Sequence, residues 1–152
     1  MSLQMEYLLK VIGVIRTPFT NPDKTPIQSS RSEYRGTVDI FPEYLDGIIG
    51  IEEFSRTYLL YMFHQADQPV RLKVKPFLDE KEQGLFTTRY SVRPNPIGFS
   101  IVKVLSREGC TIKFSGADMF DGTPLLDIKP YIPDFDWFDA DRTGWYEKRK
   151  HE

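Results

Sequence analysis

The stretch Gly98-Phe-Ser-Ile-Val-Lys-Val-Leu-Ser-Arg-Glu-Gly-Cys-Thr-Ile-Lys-Phe-Ser115 decides the fold class of this chain. Apolar and β-branched residues dominate its two ends, and Ser106-Arg-Glu-Gly109 between them has the composition of a turn. The pattern predicts a hairpin of two strands, Gly98–Leu105 and Cys110–Ser115. A chain built around such a hairpin is expected to be mainly β.

Similar patterns lie on both sides of this hairpin. Val70-Arg-Leu-Lys-Val-Lys75 alternates strictly, which predicts a strand with its apolar side chains inward and its cations outward. Arg56–His64 is almost continuously apolar, which predicts a strand that is buried on both faces. The other predicted elements are strands at Leu8–Ile15, Gly36–Phe41, Gly84–Thr88 and Leu125–Ile128, a turn or short helix at Pro42–Leu45, and a helix within Phe135–Lys150.

About seven short strands in one modest domain predict an antiparallel or mixed β-barrel with short helices, without a Rossmann fold. We expect residues 1–10 to be a lead-in or tag, residues 11–136 to form the barrel domain, and residues 137–152 to form a C-terminal tail or helix. Cys110 has no second cysteine to pair with, and we find no signal peptide and no long apolar run. These features predict a cytoplasmic protein.

Charge is unevenly distributed along a chain whose net charge is −2. Residues 71–107 contain eight Lys or Arg and three acidic residues, whereas residues 118–141 contain seven acidic residues and one Lys. One face could therefore meet phosphate groups. Two solvated faces of opposite sign would give the same pattern, and the sequence leaves both readings open.

Several common classes of site are disfavoured. The ten glycines form no Gly-x-Gly, so the sequence has no dinucleotide fingerprint and no P-loop. Two histidines and one cysteine are too few for an ordinary zinc site, and we expect no metal. Cys110 falls in a predicted strand without an activating partner, which disfavours a cysteine nucleophile.

Two loops have the composition of a binding site. In residues 88–100, Pro94 and Pro96 stiffen a loop that presents Arg89 and Arg93 beside Gly98, a glycine that would let a ligand approach the backbone. In residues 116–131, Asp121-Gly-Thr-Pro124 is a turn flanked by further acidic residues. Surface ion pairs between the arginines and these acids are the alternative reading. His64-Gln65 closes a strand, and His64 could be a ligand group or a structural histidine.

Taken in order, these segments resemble a known family, the TrmO-like (TsaA/YaeB-type) S-adenosylmethionine-dependent tRNA methyltransferases. The resemblance runs from about Val11 to Asp136 and rests on five segments: Ile12-Gly-Val-Ile-Arg-Thr-Pro18, Phe54 to Gln65, Gly84-Leu-Phe-Thr-Thr-Arg89, Arg93-Pro-Asn-Pro-Ile-Gly98, and Asp121-Gly-Thr-Pro with Asp127-Ile-Lys-Pro-Tyr131. It implies a β-barrel methyltransferase that modifies the exocyclic nitrogen of threonylcarbamoyladenosine beside the tRNA anticodon. It also implies a homodimer.

The resemblance also assigns S-adenosylmethionine contacts, namely Gln28, Ser29, Ser30, His64, Gln65, Arg89, Phe99, Asp121, Gly122, Thr123 and Pro124. In the first of these segments the family often has Arg-Gln-Pro-Gly where this chain has Ile27-Gln-Ser-Ser30.

A general base is not identified by the sequence; His64, Asp118 and Asp121 are the candidates. The tRNA anticodon loop is the expected partner, and its predicted contacts are Arg93, Asn95, Lys129, Arg71, Lys73 and Lys75. The C-terminal aromatic residues Phe135, Trp137, Phe138, Trp145 and Tyr146 are either a dimer surface or a cover for the chain's own barrel. A barrel that binds S-adenosylmethionine or RNA without catalysis is the alternative function. A metal-dependent hydrolase using Asp118 and Asp121 is disfavoured because histidine ligands are lacking.

Overall fold

The computed structural model describes residues 3–20, 33–77 and 79–148, which contain eight strands. The strands are β1 (Gly13–Arg16), β2 (Arg35–Ile40), β3 (Arg56–Met62), β4 (Lys73–Val74), β5 (Gln83–Gly84), β6 (Ile97–Glu108), β7 (Thr111–Ser115) and β8 (Thr123–Pro130). Six of them close into an antiparallel barrel in the order β1-β2-β7-β6-β3-β8, whereas β4 and β5 form a separate hairpin. The predicted mainly β, non-Rossmann barrel is confirmed.

The barrel interior is filled by alternate side chains of its strands, as the two-residue period of a strand requires. Its fully buried large residues include Ile15, Val38, Leu59, Val102, Ile112, Phe114 and Leu125. In β3 the inward residues are buried while the outward ones are half-buried, so the prediction that both faces are buried is wrong for the outer face. The apolar character of that face has a local cause, since the ring of Tyr131 packs 5.9 Å from that of Tyr58.

The hairpin that indicated the fold class is present as β6 and β7, but its turn is tighter than predicted. Glu108 pairs with Thr111, so only Gly109 and Cys110 form the turn. Gly109 has a φ of +58°, a conformation that favours glycine. The polar residues of the predicted turn therefore belong to a longer β6, which bends where its register shifts between Val104 and Ser106.

The strand predicted at Val70–Lys75 is wrong. Only Lys73–Val74 is a strand, and it pairs with Gln83–Gly84 alone. Val70 is 46% exposed and Leu72 is 66% exposed, so the alternating apolar residues do not share a buried face. The hairpin lies outside the barrel sheet, so the barrel core does not bury these two residues. The strand predicted at Gly84–Thr88 is also replaced, by a 3₁₀ turn at Leu85–Thr87.

In the part of the chain that the structure describes, helical structure is limited to short segments. The turn predicted after Phe41 is a 3₁₀ helix at Pro42–Ile48, and a second 3₁₀ turn covers Ile51–Glu53. The prediction of a helix within Phe135–Lys150 is wrong for the described residues. There α1 (Pro133–Asp136) ends at an extended Trp137, and a 3₁₀ turn covers Gly144–Lys148. No apolar stripe of this segment is buried, so a long helix has nothing to stabilise it.

The N-terminal strand is shorter than predicted. Leu8 and Leu9 are exposed, and regular pairing begins only at Gly13. Within residues 3–20, 33–77 and 79–148, no helix has the length and apolarity needed to cross a bilayer.

Candidate functional site

A cavity of about 350 Å³ opens where β3 ends. It is lined by residues 61–66, 90–92 and 118–120, together with Gln68 and Thr123. The three segments come from the end of β3, the loop before β6 and the loop before β8. The sequence predicted each of these segments as part of a site, and closure of the barrel brings them together.

Gly98 allows two aromatic rings to form one wall of this cavity. It lies opposite Tyr61 in the ladder between β3 and β6. A Cβ on Gly98 would be only 2.5 Å from Cε2 of Tyr61 and 2.7 Å from Cζ of Phe63. The rings of Tyr61 and Phe63 pack edge to face, with their centroids 5.7 Å apart. The prediction that Gly98 admits a ligand is replaced by this role, because the protein's own rings occupy the space.

Arg93 organises the loop that carries Tyr90. Its Nη1 donates to the carbonyl oxygen of Tyr90 at 2.7 Å and to that of Thr88 at 3.0 Å. Its guanidinium also lies 5.8 Å from the centre of the Phe86 ring. Three contacts of one side chain therefore fix the loop before β6.

Arg89 and Phe99 come together on the outside of the barrel. The guanidinium carbon of Arg89 lies 5.0 Å from the centre of the Phe99 ring, within the range of a cation–π contact. Both side chains are exposed. Arg89 is followed in sequence by Tyr90, which lines the cavity, and Phe99 is followed by Ser100, a buried residue of β6. The structure thus joins two of the predicted cofactor residues.

The turn Asp121–Pro124 is built by contacts with the segment after β1. A carboxylate oxygen of Asp121 accepts a hydrogen bond from the backbone N–H of Thr17 at 3.1 Å. The backbone N–H of Asp121 donates to the carbonyl oxygen of Phe19 at 2.8 Å. Gly122 has a φ of +81°, which explains the glycine. The hydroxyl of Thr123 donates to the carbonyl of Phe120 at 2.6 Å. Asp121 therefore holds the turn, and Thr123 faces the cavity.

A buried hydrogen-bonded chain reaches the cavity from the barrel interior. The Tyr61 hydroxyl lies 2.8 Å from Oγ of Ser100, which donates to Oδ1 of Asp118 at 2.7 Å. Burial, and then the negative charge of Asp118, raise the pKa of Tyr61 above its usual range, although the positive charge of Arg89 opposes the shift. Sequence reasoning missed Tyr61 and Ser100. A serine at an inward position of an otherwise apolar strand was the available signal.

A second cavity of about 460 Å³ adjoins the first and shares Gln68, Tyr90 and Val92 with it. Arg71 and Lys75 line it, and Arg71 forms an ion pair with Glu82 at 3.1 Å. Two of the predicted RNA contacts therefore lie next to the candidate site.

The remaining predicted residues are distributed differently. Lys129 lies opposite Tyr58, toward the start of β3, and contacts Asp127 at 3.4 Å, so the structure does not bring it to the cavity at the other end of that strand. His64 and Gln65 line the cavity, and Asn95 is exposed in the loop before β6. Gln28, Ser29 and Ser30 lie outside the described residues. In the described ranges no group of three His, Cys, Asp or Glu could hold a metal ion.

The profile of the tRNA-methyltransferase O N-terminal domain matches residues 14–137. The chain belongs to the TrmO family. Its curated relatives include a probable S-adenosyl-L-methionine-binding protein of Pyrococcus abyssi, 44% identical over all of this chain and 83% of that protein. They also include the tRNA (adenine(37)-N6)-methyltransferase of Mus musculus, 38% identical over 85% of this chain and 32% of the mouse protein.

A solved structure supports the same membership. The crystal structure of TrmO from Pseudomonas aeruginosa superimposes with a TM-score of 0.75 at 35% identity. The superposition covers 93% of this chain and 63% of that TrmO chain. The chain thus spans less than two thirds of the solved TrmO protein.

Proposed function

We propose that this protein is an S-adenosylmethionine-dependent tRNA methyltransferase that methylates the exocyclic nitrogen of threonylcarbamoyladenosine beside the anticodon. The observation that carries the proposal is the convergence of three TrmO-like segments on one cavity of about 350 Å³ in a chain of this family. Convergence on a single cavity is expected of a working site and is not required for the barrel to fold.

The cavity suits the chemistry of S-adenosylmethionine. Its volume lies within the usual range for small-molecule sites, about 300–1,000 Å³. Phe63, Val92 and Phe120 offer apolar surface for the adenine ring. His64 and Gln65 offer polar groups, and Arg89 beside the cavity offers a cation for the carboxylate end of the cofactor. We infer that Asp121–Pro124 holds the cofactor through its ordered backbone.

When bound, the cofactor supplies an activated methyl group on a sulfonium. The protein's part is mainly positional, because methyl transfer needs the accepting nitrogen in line with the carbon–sulfur bond. Arg93 would act by fixing the loop that presents Tyr90. The walls formed by Tyr61, Phe63 and Phe120 would exclude water from the reacting atoms.

The second cavity is the place we infer for the RNA. Arg71 and Lys75 line it, and Lys73 lies on β4 between them. Cations at this position would contact phosphates of the anticodon loop, and binding of that kind weakens as salt rises. The wall shared by the two cavities would place a base that enters from this side against Tyr90. Arg93 and Asn95, in the loop before β6, would flank the same entrance.

We further propose that the protein acts in the cytoplasm as a homodimer, with residues 1–10 as a lead-in, residues 11–136 as the barrel domain and residues 137–152 as a C-terminal tail. The exposed side chains of Phe135, Trp137 and Phe138 support a dimer, since clustered exposed aromatic residues mark interaction surfaces. Trp145 donates instead to the carbonyl of Thr87 at 2.8 Å, within its own chain. Light scattering at micromolar concentration should give twice the chain mass, and a monomer would contradict the dimer.

The second candidate is a barrel that binds S-adenosylmethionine without transferring its methyl group. It is favoured by the name of the Pyrococcus abyssi relative, which states binding and no reaction. Incubating the protein with methyl-labelled S-adenosylmethionine and bulk tRNA from a strain that lacks the methyltransferase but still makes threonylcarbamoyladenosine separates the two candidates. Label in the tRNA supports the enzyme. Calorimetric binding of the cofactor without label in the tRNA supports the binding protein.

A further inference from the structure

The hydroxyl groups of Tyr61 and Ser100 have a defined hydrogen-bond direction. The hydroxyls lie 2.8 Å apart, and Ser100 lies 2.7 Å from Oδ1 of Asp118. An ionised carboxylate only accepts hydrogen bonds, so the single hydrogen of Ser100 must point to Asp118. Because Ser100 then has no second hydrogen, Tyr61 must donate to Ser100. The two hydrogen bonds therefore point in one direction, from Tyr61 in the barrel interior through Ser100 to the carboxylate of Asp118.

Burial differs along this chain in a way that fits a site. Tyr61 is 4% exposed and Ser100 is 3% exposed, whereas Asp118 is half-buried and lines the cavity. Polar groups in an apolar barrel interior are costly unless they are hydrogen-bonded. Two such hydroxyls in series orient one carboxylate at the cavity wall. An apolar pair would fill the same interior without that cost.

Asp118 differs from the two other candidate bases in its surroundings. Asp121 is engaged by the backbone N–H of Thr17, and it is not among the described residues that line the cavity. His64 lines the cavity, but among the described residues no hydrogen bond fixes its ring. Only Asp118 combines a place in the wall with a side chain that is held from within the barrel.

We propose that Asp118 accepts the proton of the nitrogen that is methylated, and that Ser100 and Tyr61 are positioning residues that hold its carboxylate. This inference rests on the proposed function. The nitrogen forms its bond to the methyl carbon while the carbon–sulfur bond breaks and its electron pair stays on sulfur. The N–H bond breaks, and its proton passes to an oxygen of Asp118. Solvent then takes up the proton, and the carboxylate is restored.

The charged and titratable groups around Asp118 are compatible with this role. Tyr61 of β3 stays protonated, because burial and the charge of Asp118 raise its pKa, so it donates and does not compete as a base. The positive charge of Arg89 lowers the pKa of Tyr61 and so opposes this shift in part. His64 and Tyr90 line the same cavity, and Asp121 belongs to the same loop as Asp118.

Four variants test the inference. Asp118→Asn removes the base, Ser100→Ala removes the direct donor, and Tyr61→Phe removes only the hydroxyl that acts through Ser100. Thr57→Val is the matched control. Thr57 is a buried residue of β3 whose hydroxyl donates to the carbonyl of Lys129 at 2.7 Å, and it takes no part in the Tyr61–Ser100–Asp118 hydrogen bonds. Single-turnover methylation of tRNA at saturating cofactor is the first readout.

We expect a loss of about 100-fold or more for Asp118→Asn, typical of a removed general base. We expect the methylation rate to fall roughly 3- to 30-fold in Ser100→Ala and in Tyr61→Phe. The variant that carries both changes should be no slower than Ser100→Ala, since the effects of residues that act as one unit are not additive. Thr57→Val should keep the wild-type rate. A wild-type rate in Asp118→Asn, or a loss in Thr57→Val equal to that in Ser100→Ala, would overturn the inference.

The second readout is independent of catalysis. A carboxyl NMR titration of the protein alone should give a higher pKa for Asp118 in Ser100→Ala than in the wild type, because the lost hydrogen bond favours the charged form. The pKa should stay unchanged in Thr57→Val, and an unchanged value in Ser100→Ala would overturn the positioning role. If the wild-type protein methylates no tRNA, the proposed function fails. An active wild type with an unaffected Asp118→Asn refutes the base alone.

Discussion

The guanidinium of Arg89 stacks over the ring of Phe99, 5.0 Å from its centre, on the outer surface of β6. The contact joins the loop before β6 to the strand itself, directly beside the cavity at the end of the barrel. It holds the guanidinium over the ring, which gives the positive charge a defined position. A positive charge with a defined position beside the cavity suits a ligand that ends in a carboxylate.

Replacing Arg89 with alanine should therefore weaken binding of S-adenosylmethionine. Loss of one hydrogen bond to a charged group costs about 1.5–3 kcal/mol, or roughly a 10- to 150-fold increase in Kd. Isothermal titration calorimetry measures the change. Arg56→Ala is the control, because Arg56 is exposed at the start of β3, away from the cavity. Equal affinities for the wild type and Arg89→Ala would remove Arg89 from the site.

Gly98→Ala should destabilise the protein. The new methyl group would meet Tyr61 and Phe63 at 2.5 Å and 2.7 Å, and overpacking of this kind costs about 1–3 kcal/mol. Thermal unfolding should show a Tm lower by about 3–10 °C. Gly47→Ala is the matched control, because a Cβ there has no neighbour within 4 Å. Equal Tm values for the two variants would show that the rings move aside freely.

Arg93→Lys distinguishes a loop-holding arginine from one that only provides charge. Lysine keeps the charge but lacks the planar fork that reaches both Thr88 and Tyr90. Hydrogen exchange across residues 85–93 should therefore be faster in Arg93→Lys than in the wild type, with a several-fold loss of cofactor affinity. Arg56→Lys should change neither quantity. Wild-type exchange and affinity in Arg93→Lys would leave charge as the function of Arg93.

A triple variant with glutamine in place of Arg71, Lys73 and Lys75 should bind tRNA more weakly. The slope of log affinity against log salt concentration should become shallower by about one for each lost phosphate contact. Cofactor affinity should stay nearly constant, because these residues line or adjoin only the second cavity. A triple variant of Arg35, Lys103 and Lys113 removes the same charge from the outer surface of β2, β6 and β7. If both triple variants bind tRNA equally, the RNA surface lies elsewhere.

The barrel could be predicted from the sequence where local pattern and tertiary role agree. Residues 98–115 alternate and contain a glycine turn, and they do form a hairpin. Val70–Lys75 alternates just as clearly, yet Val70 and Leu72 are exposed. Alternation shows which side chains share a face, but not whether anything covers that face. The covering surface depends on the whole fold, which the local sequence does not contain.

The site could be predicted only in part for a similar reason. The resemblance located the segments that meet at the cavity, including His64, Gln65 and Thr123. It did not locate the Tyr61–Ser100–Asp118 chain, whose members are 39 and 18 residues apart. These contacts exist because β3 pairs with β6 and the loop before β8 folds over the barrel end. Likewise, Asp121 holds Thr17 across 104 residues, which no short motif predicts.

Mass spectrometry of nucleosides tests the central claim most directly. The protein is incubated with S-adenosylmethionine and two anticodon stem-loops of identical sequence, one with adenosine and one with threonylcarbamoyladenosine next to the anticodon. We predict a mass increase of one methyl group on the threonylcarbamoyladenosine nucleoside and none on adenosine. Methylation of neither stem-loop, or of both equally, with full-length tRNA giving the same result, would contradict the account.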